Sequence, residues 1–271
     1  MEEFLGNPAV QGGVAPFVVG LIVVAILGRA RLGGLAVVAA FAVCVHLASG
    51  ITFTPLTALR KLVLLGLIAP VVGIAVDFVL RPGRTLTAAI AAACGALAVW
   101  VFWSVLQQKP APEALLLGGG TAVFVAWVVG WTMDVGGQPV RAGAASLMLG
   151  LGAGISAILG ASALLGLYGI AIGAGAGAFL LVQMLTGRRI AAGATFTLSA
   201  SLAAGLVAAA ALVLAQLPWY ALLALGLVPL AARLTASDRL PVWAQAFIVS
   251  AYGLAVAVIA FVLTWWTPPP V

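Results

Sequence analysis

Long apolar runs alternate along this chain with short polar or turn-forming stretches, and each run has the length that crosses a bilayer. A spanning helix needs roughly 20 apolar residues. Such runs extend from Val10 to Gly28, Leu32 to Ser49, Leu62 to Leu80, Leu86 to Leu106 and Ala114 to Met133. From Ala142 to Leu185 no charged residue occurs. A single helix of that length would be about 66 Å long at 1.5 Å per residue, twice the hydrocarbon thickness. The segment must fold back, near Gly160 to Gly166, and so supplies a sixth and a seventh span. An eighth runs from Ala191 to Leu214. The Gln216-Leu217-Pro218 step turns the chain into a ninth, Trp219 to Leu234, and a tenth runs from Pro241 to Trp266. Membrane barrel strands alternate apolar and polar positions over about ten residues, and these runs are continuous. The pattern predicts an all-α, polytopic transmembrane bundle of about ten spans, one integral membrane domain over residues 1–271.

Composition makes the bilayer the required partner. Hydrophobic residues are 65% of the chain and charged residues 7%, against about 25% charged in a soluble domain. A water-soluble enzyme, a nucleic-acid binder and a disordered chain are excluded. The formal charge of +6 then bears on orientation, because basic residues are retained on the cytoplasmic side. The connections after spans 1, 3, 5, 7 and 9 hold Arg29, Arg31, Arg81, Arg84, Arg141, Arg188, Arg189, Arg233 and Arg239; the opposite side holds Arg60, Lys61 and Lys109. The first set is expected in the cytoplasm, with both termini outside. The start Met1-Glu2-Glu3 lacks the basic region of a cleaved signal, so the first run is expected to be retained. Trp103, Trp219, Trp265 and Trp266 fall near the outer span ends, and Trp131 and Trp243 near the inner ones, as interfacial belts require. The dominance of Arg over Lys, with abundant Ala and Gly, points to a bacterial inner membrane. The basic turns at Arg31, Arg84, Arg141, Arg189 and Arg239 recur roughly every 50 residues, which reads either as five helical hairpins or as the ordinary spacing of regular spans.

The most specific local signal is a matched pair. Gly73-x3-Asp77 is followed by Arg81-Pro82-Gly83-Arg84, and Gly130-x3-Asp134 by Gln138-Pro139-Val140-Arg141. Each Asp sits near the inner, C-terminal end of a span, where the negative pole of the helix disfavours it by roughly 0.3–1 kcal/mol. A compensating partner is expected: Arg81 or Arg84 for Asp77, Arg141 for Asp134, or capping of the following helix. The pair resembles the cytoplasmic loop motif of major facilitator transporters, with different spacing and without a compact basic run after the Asp. That resemblance implies a conformational latch on a cytoplasmic gate; the residues alone read first as a charge cluster that anchors the helix ends and sets topology.

Within the spans, Gly150 and Gly154 on the sixth and Gly169, Gly173 and Gly177 on the seventh have the four-residue spacing that lets helix backbones approach in lipid. Pro70 and Pro229 interrupt the third and ninth spans and free carbonyls near Gly66 and Leu225, as in the broken helices of carriers or as ordinary membrane prolines. His46, the one histidine, is a candidate on a polar pathway or in a buried interhelical bond. Thr195 and Ser199 share a face of span eight and line a pathway or bond their own helix carbonyls. Two cysteines, Cys44 and Cys94, and one His form no metal set, and no cofactor is expected.

No paired carboxylates or Ser-His-Asp arrangement is visible, so the chain is read as a non-enzyme. No charge falls clearly at the middle of a span, where proton-coupled pumps and transporters usually carry one; the leading reading is a permease-like carrier of a small, weakly charged or apolar solute. Ten spans in this length are also similar to the drug/metabolite transporter superfamily, whose two inverted five-helix halves imply a carrier; its usual cytoplasmic termini are opposite to the orientation read here. The alternative is a non-catalytic subunit that packs its glycine-rich faces against other membrane subunits or a second copy.

Overall fold

The computed structural model describes residues 6–30, 32–80, 83–215, 217–237 and 239–266. Along them run α1 (Val10–Leu27), α2 (Leu35–Ala48), α3 (Ala58–Phe78), α4 (Arg84–Leu106), α5 (Ala111–Asp134), α6 (Pro139–Leu159), α7 (Ala163–Thr186), α8 (Gly193–Leu214), α9 (Trp219–Ala231) and α10 (Val242–Trp265). Among the described residues there is no strand. Eight of these helices are long and apolar enough to cross a bilayer, while α2 and α9 are shorter. Proline opens α5 and α6, at positions where the missing N–H has no intrahelical partner to lose. The uncharged stretch after Ala142 reverses at Gly160-Ala161-Ser162, with Ala161 at φ +68°.

Helix α8 is the axis of the bundle. Every residue from Ala194 to Ala211 is buried. Thirteen of these 18 residues are Ala, Gly, Ser or Thr, so neighbours can close on the helix from all sides. It packs against α3, α5, α6 and α7, and less extensively against α2 and α4. The outer surface is the reverse: Leu116 is 78% exposed and Phe247 72%. Large apolar side chains turned outward around the whole circumference require lipid rather than water. This is a polytopic, all-helical membrane protein.

Consecutive helices α1–α2, α4–α5, α6–α7 and α9–α10 pack as antiparallel pairs, and α3 pairs with α8 across the bundle. The tightest seam is α6 against α7. A Cβ added at Gly150 would lie 2.5 Å from the Gly173 amide nitrogen, and one at Gly154 2.7 Å from that of Ile170. A Cβ on Gly169 would collide with the Gly154 backbone. Gly177 is looser, its nearest neighbour being Leu147 Cδ1 at 3.3 Å.

Two irregularities shape the ends of the bundle. Helix α2 has 14 residues, about 21 Å at 1.5 Å per residue, so it falls short of the hydrocarbon thickness. Irregular chain from Ser49 to Thr57 makes up the difference and leaves a cavity beside it. Helix α9 breaks at Leu227, just before Pro229, into Trp219–Gly226 and Val228–Ala231. The break frees the Gly226 carbonyl, which accepts from Trp127 Nε1 at 3.0 Å. Buried polar groups need such partners, and here an indole on α5 supplies one.

Candidate functional site

Asp77, in the last turn of α3, is joined to the start of α8. Its Oδ1 accepts from the Ala194 amide at 2.6 Å; its Oδ2 accepts from the Thr195 amide at 2.7 Å and from Thr195 Oγ1 at 2.6 Å. The residue preceding α8, Ala192, offers no capping side chain, so a carboxylate from α3 takes that role. One helix end explains the other: an acid disfavoured at the C-terminal pole of α3 is placed at the N-terminal pole of α8, against unpaired amides. Two glycines make room. A Cβ on Gly73 would lie 2.6 Å from Thr195 Cα, and Gly193, at φ +61°, would carry one 2.5 Å from Asp77 Oδ2.

Of the partners expected for Asp77, Arg84 is not one, and the capping role falls on α8 rather than on the following helix. Arg84 is exposed at the start of α4 and makes no bond to Asp77; Arg81 lies outside the described residues. Asp134 is corrected likewise. Its Oδ2 accepts from Arg233 Nη2 at 2.5 Å, an ion pair about two-fifths exposed. The Arg233 guanidinium also stands over the Trp131 ring, 4.5 Å from its centre. Arg141 donates instead to the Arg233 backbone carbonyl, at 2.9 Å. The two Gly-x3-Asp copies hence diverge: one clasps two helices, the other pairs with a loop.

These residues surround a vestibule of about 840 Å³ at the arginine-bearing end of the bundle. Asp77, Gln138, Arg141, Arg189 and Gln245 face it, with the α8 start, Ala192 to Ala194, as a wall. Gln245, buried on α10, accepts from Arg189 Nη2 at 3.3 Å and donates through Nε2 to the Leu240 carbonyl at 2.8 Å. Buried Gln183 receives the Ile190 amide on its Oε1 at 3.3 Å, which fixes the chain beside Arg189. A side cleft of about 760 Å³, lined by Arg84, Trp127, Trp131, Asp134 and Arg233, shares Thr87, Met133 and Gly137 with the vestibule.

At the opposite end a smaller cavity, about 340 Å³, is lined by Ser49, Thr52, Thr57, Arg60, Val63 and Tyr168. Ser49 Oγ and Tyr168 Oη are hydrogen-bonded at 2.7 Å. Arg60 donates to the Pro55 carbonyl at 2.8 Å, and Lys61 to the Trp100 carbonyl at 3.1 Å, with its ammonium 4.7 Å from the Trp100 ring centre. These basic residues on the minority side are thus held by local carbonyls and an aromatic face.

The remaining candidates scatter. His46 is exposed on the last turn of α2, faces away from the core and lines none of these cavities, which corrects its placement on a pathway or in a buried bond. Pro70 is buried within a continuous α3. Pro229 is buried at the α9 break. Thr195 belongs to the Asp77 clasp, while Ser199 bonds back to the Thr195 carbonyl at 2.7 Å, and Thr197 and Ser201 bond back to Gly193 and Thr197 in the same way. Gln183, Arg189, Arg233 and Gln245 were not singled out for chemistry; an isolated Gln inside an apolar run was the available signal for two of them.

Three fully buried hydroxyls, Thr132, Ser146 and Ser156, have no hydrogen-bond partner among the described residues. Thr132 adjoins Met133 on the vestibule wall. Thr132→Val keeps the shape and removes the unpaired oxygen. Thermal unfolding in detergent is expected to be unchanged or slightly raised, by up to about 1 kcal/mol. A clear loss of stability would mean that the hydroxyl holds something within the bundle. No family model matches this sequence, and no curated protein matches it significantly.

Proposed function

We propose that this chain is a permease-like carrier that passes a small solute across a bacterial inner membrane, with its arginine-bearing loops in the cytoplasm. One observation carries the reading: α3 borders both cavities. Leu59, Arg60 and Val63 in its first turns line the smaller cavity, and Asp77 in its last turn lines the vestibule. Between them the helix is packed, with Leu62, Gly66, Ala69, Pro70 and Gly73 buried. A sealed helix with an aqueous recess at each end is the arrangement alternating access needs. Proline at its middle removes one hydrogen bond and marks where the two halves can bend. The three bonds from Asp77 hold its inner half against α8 and form the latch of the closed gate.

The glycine faces that would suit a subunit of a larger complex are used inside the chain, where α6 and α7 meet. This supports a bundle that works alone. The test is reconstitution into liposomes with stopped-flow light scattering after osmotic shifts, using sets of neutral and charged small solutes. Saturable acceleration for one class over protein-free vesicles is expected. Stoichiometric partners in mild detergent, together with no acceleration for any solute, would replace the carrier by the subunit.

A further inference from the structure

We infer that the vestibule is an oxyanion site built on Arg141 and Arg189, and that the carried solute is a small carboxylate or phosphate-type anion. The second half rests on the carrier reading; the first stands without it. The argument is one of charge balance and tethering. Both guanidiniums line the same recess. Each is anchored by one donor to a neutral acceptor: Arg141 to the Arg233 carbonyl, and Arg189 to Gln245 Oε1. Gln245 is itself buried and held through its amide nitrogen by the Leu240 carbonyl. An anchored guanidinium keeps a planar fork of further donors in a set direction, which suits a carboxylate or phosphate.

Neither described carboxylate on this face reaches either arginine. Asp134 is paired with Arg233. Asp77 directs its oxygens at Ala194 and Thr195, so these two amides of the α8 terminus are already taken. Two guanidiniums against one carboxylate, Asp77, whose oxygens are taken by the α8 amides, leave the described lining of the recess net positive, and such a recess draws anions and repels cations. The recess is large enough for a small organic anion. This site replaces the expectation of a weakly charged or apolar solute by a small anionic one.

The test is titration calorimetry of the full chain in phosphatidylcholine nanodiscs, with inorganic phosphate and with acetate. Saturable binding of at least one is expected, weakened about tenfold or more by Arg141→Gln or Arg189→Gln and unaffected by Lys109→Gln at the far end, where the ammonium is exposed and paired with Glu113. If Arg141→Gln does not fold, Arg141→Lys gives the same comparison, because an ammonium cannot hold the Arg233 carbonyl and present a fork together. No saturable binding, or binding that survives both arginine substitutions, overturns the site. Repeating the titration in phosphatidylglycerol discs separates the sources. Undiminished binding supports a free solute, whereas its loss assigns the oxyanion to a lipid headgroup and overturns the solute. In liposomes, anion flux that Arg141→Gln removes completes the case. Flux of neutral solutes alone ends the anion assignment and leaves the carrier; intact phosphate binding without any flux ends the carrier and leaves the site.

Discussion

Asp77→Ala is expected to destabilise the protein by about 3 kcal/mol or more, the sum of buried donors left without an acceptor. The Thr195 amide and hydroxyl and the Ala194 amide all point at this carboxylate, and both residues are buried. Truncation leaves them without their acceptor, at the vestibule wall where the central helix of the bundle begins. Asp77→Asn keeps an acceptor oxygen but loses the charge and one oxygen, and should cost less, about 1–2 kcal/mol. Asp134→Asn in the matched motif should cost under about 1 kcal/mol, because its ion pair is well exposed and solvent-screened. Thermal unfolding of the three variants in the same detergent checks the order. Equal effects at the two aspartates would contradict the clasp. For the gate, the same series predicts that Asp77→Asn shifts a cysteine placed at Ala191 toward faster labelling by an impermeant maleimide, while Asp134→Asn does not. The native cysteines, Cys44 and Cys94, are buried and give a low background.

Gly150→Val is expected to have the second large effect. Its Cβ would fall 2.5 Å from the Gly173 amide nitrogen and 3.1 Å from the Gly169 carbonyl. The obstacle is backbone, so no rotamer change relieves it and the helices must separate. Overpacking costs about 1–3 kcal/mol where neighbours can shift, and the upper end or beyond is expected here because α6 and α7 meet through four glycines. Gly119→Val on α5 is the contrast. Nothing lies within 4 Å of a Cβ there, and its side chain would enter lipid, so stability should change by under about 0.5 kcal/mol. Equal losses at both positions would place the cost in helix propensity rather than in the seam.

The spans were legible because the bilayer imposes length and polarity on each segment separately. The fold-back forced by the uncharged run after Ala142 could be read from arithmetic on helix rise. The α6–α7 glycines could also be read, since a four-residue spacing of small residues is a local pattern. The same logic drew attention to Asp77 and Asp134, because a carboxylate at the negative end of a helix needs a partner. It named Arg84 and Arg141, neither of which pairs with these acids. The arginines next in sequence were the nearest charges along the chain, whereas Asp77 is served by backbone amides more than a hundred residues away and Asp134 by a loop arginine of the α9–α10 connection. His46 failed for a related reason: a polar residue in an apolar run shows that a span carries it, not which face does. Gln245 and Arg189 become a site only when α10 and the α7–α8 connection share one recess.

What the residues determined unaided was therefore an all-helical, polytopic bundle, the approximate limits of its apolar helices and the end of the bundle that holds the arginines. Each of these depends on transferring one stretch of chain into lipid, an energy that is nearly independent of its neighbours. Which helix meets which, what neutralises each buried acid and where space is left over were decided only by packing. Those contacts join positions far apart in the chain through backbone groups and small side chains, whose identities carry no label for their partner.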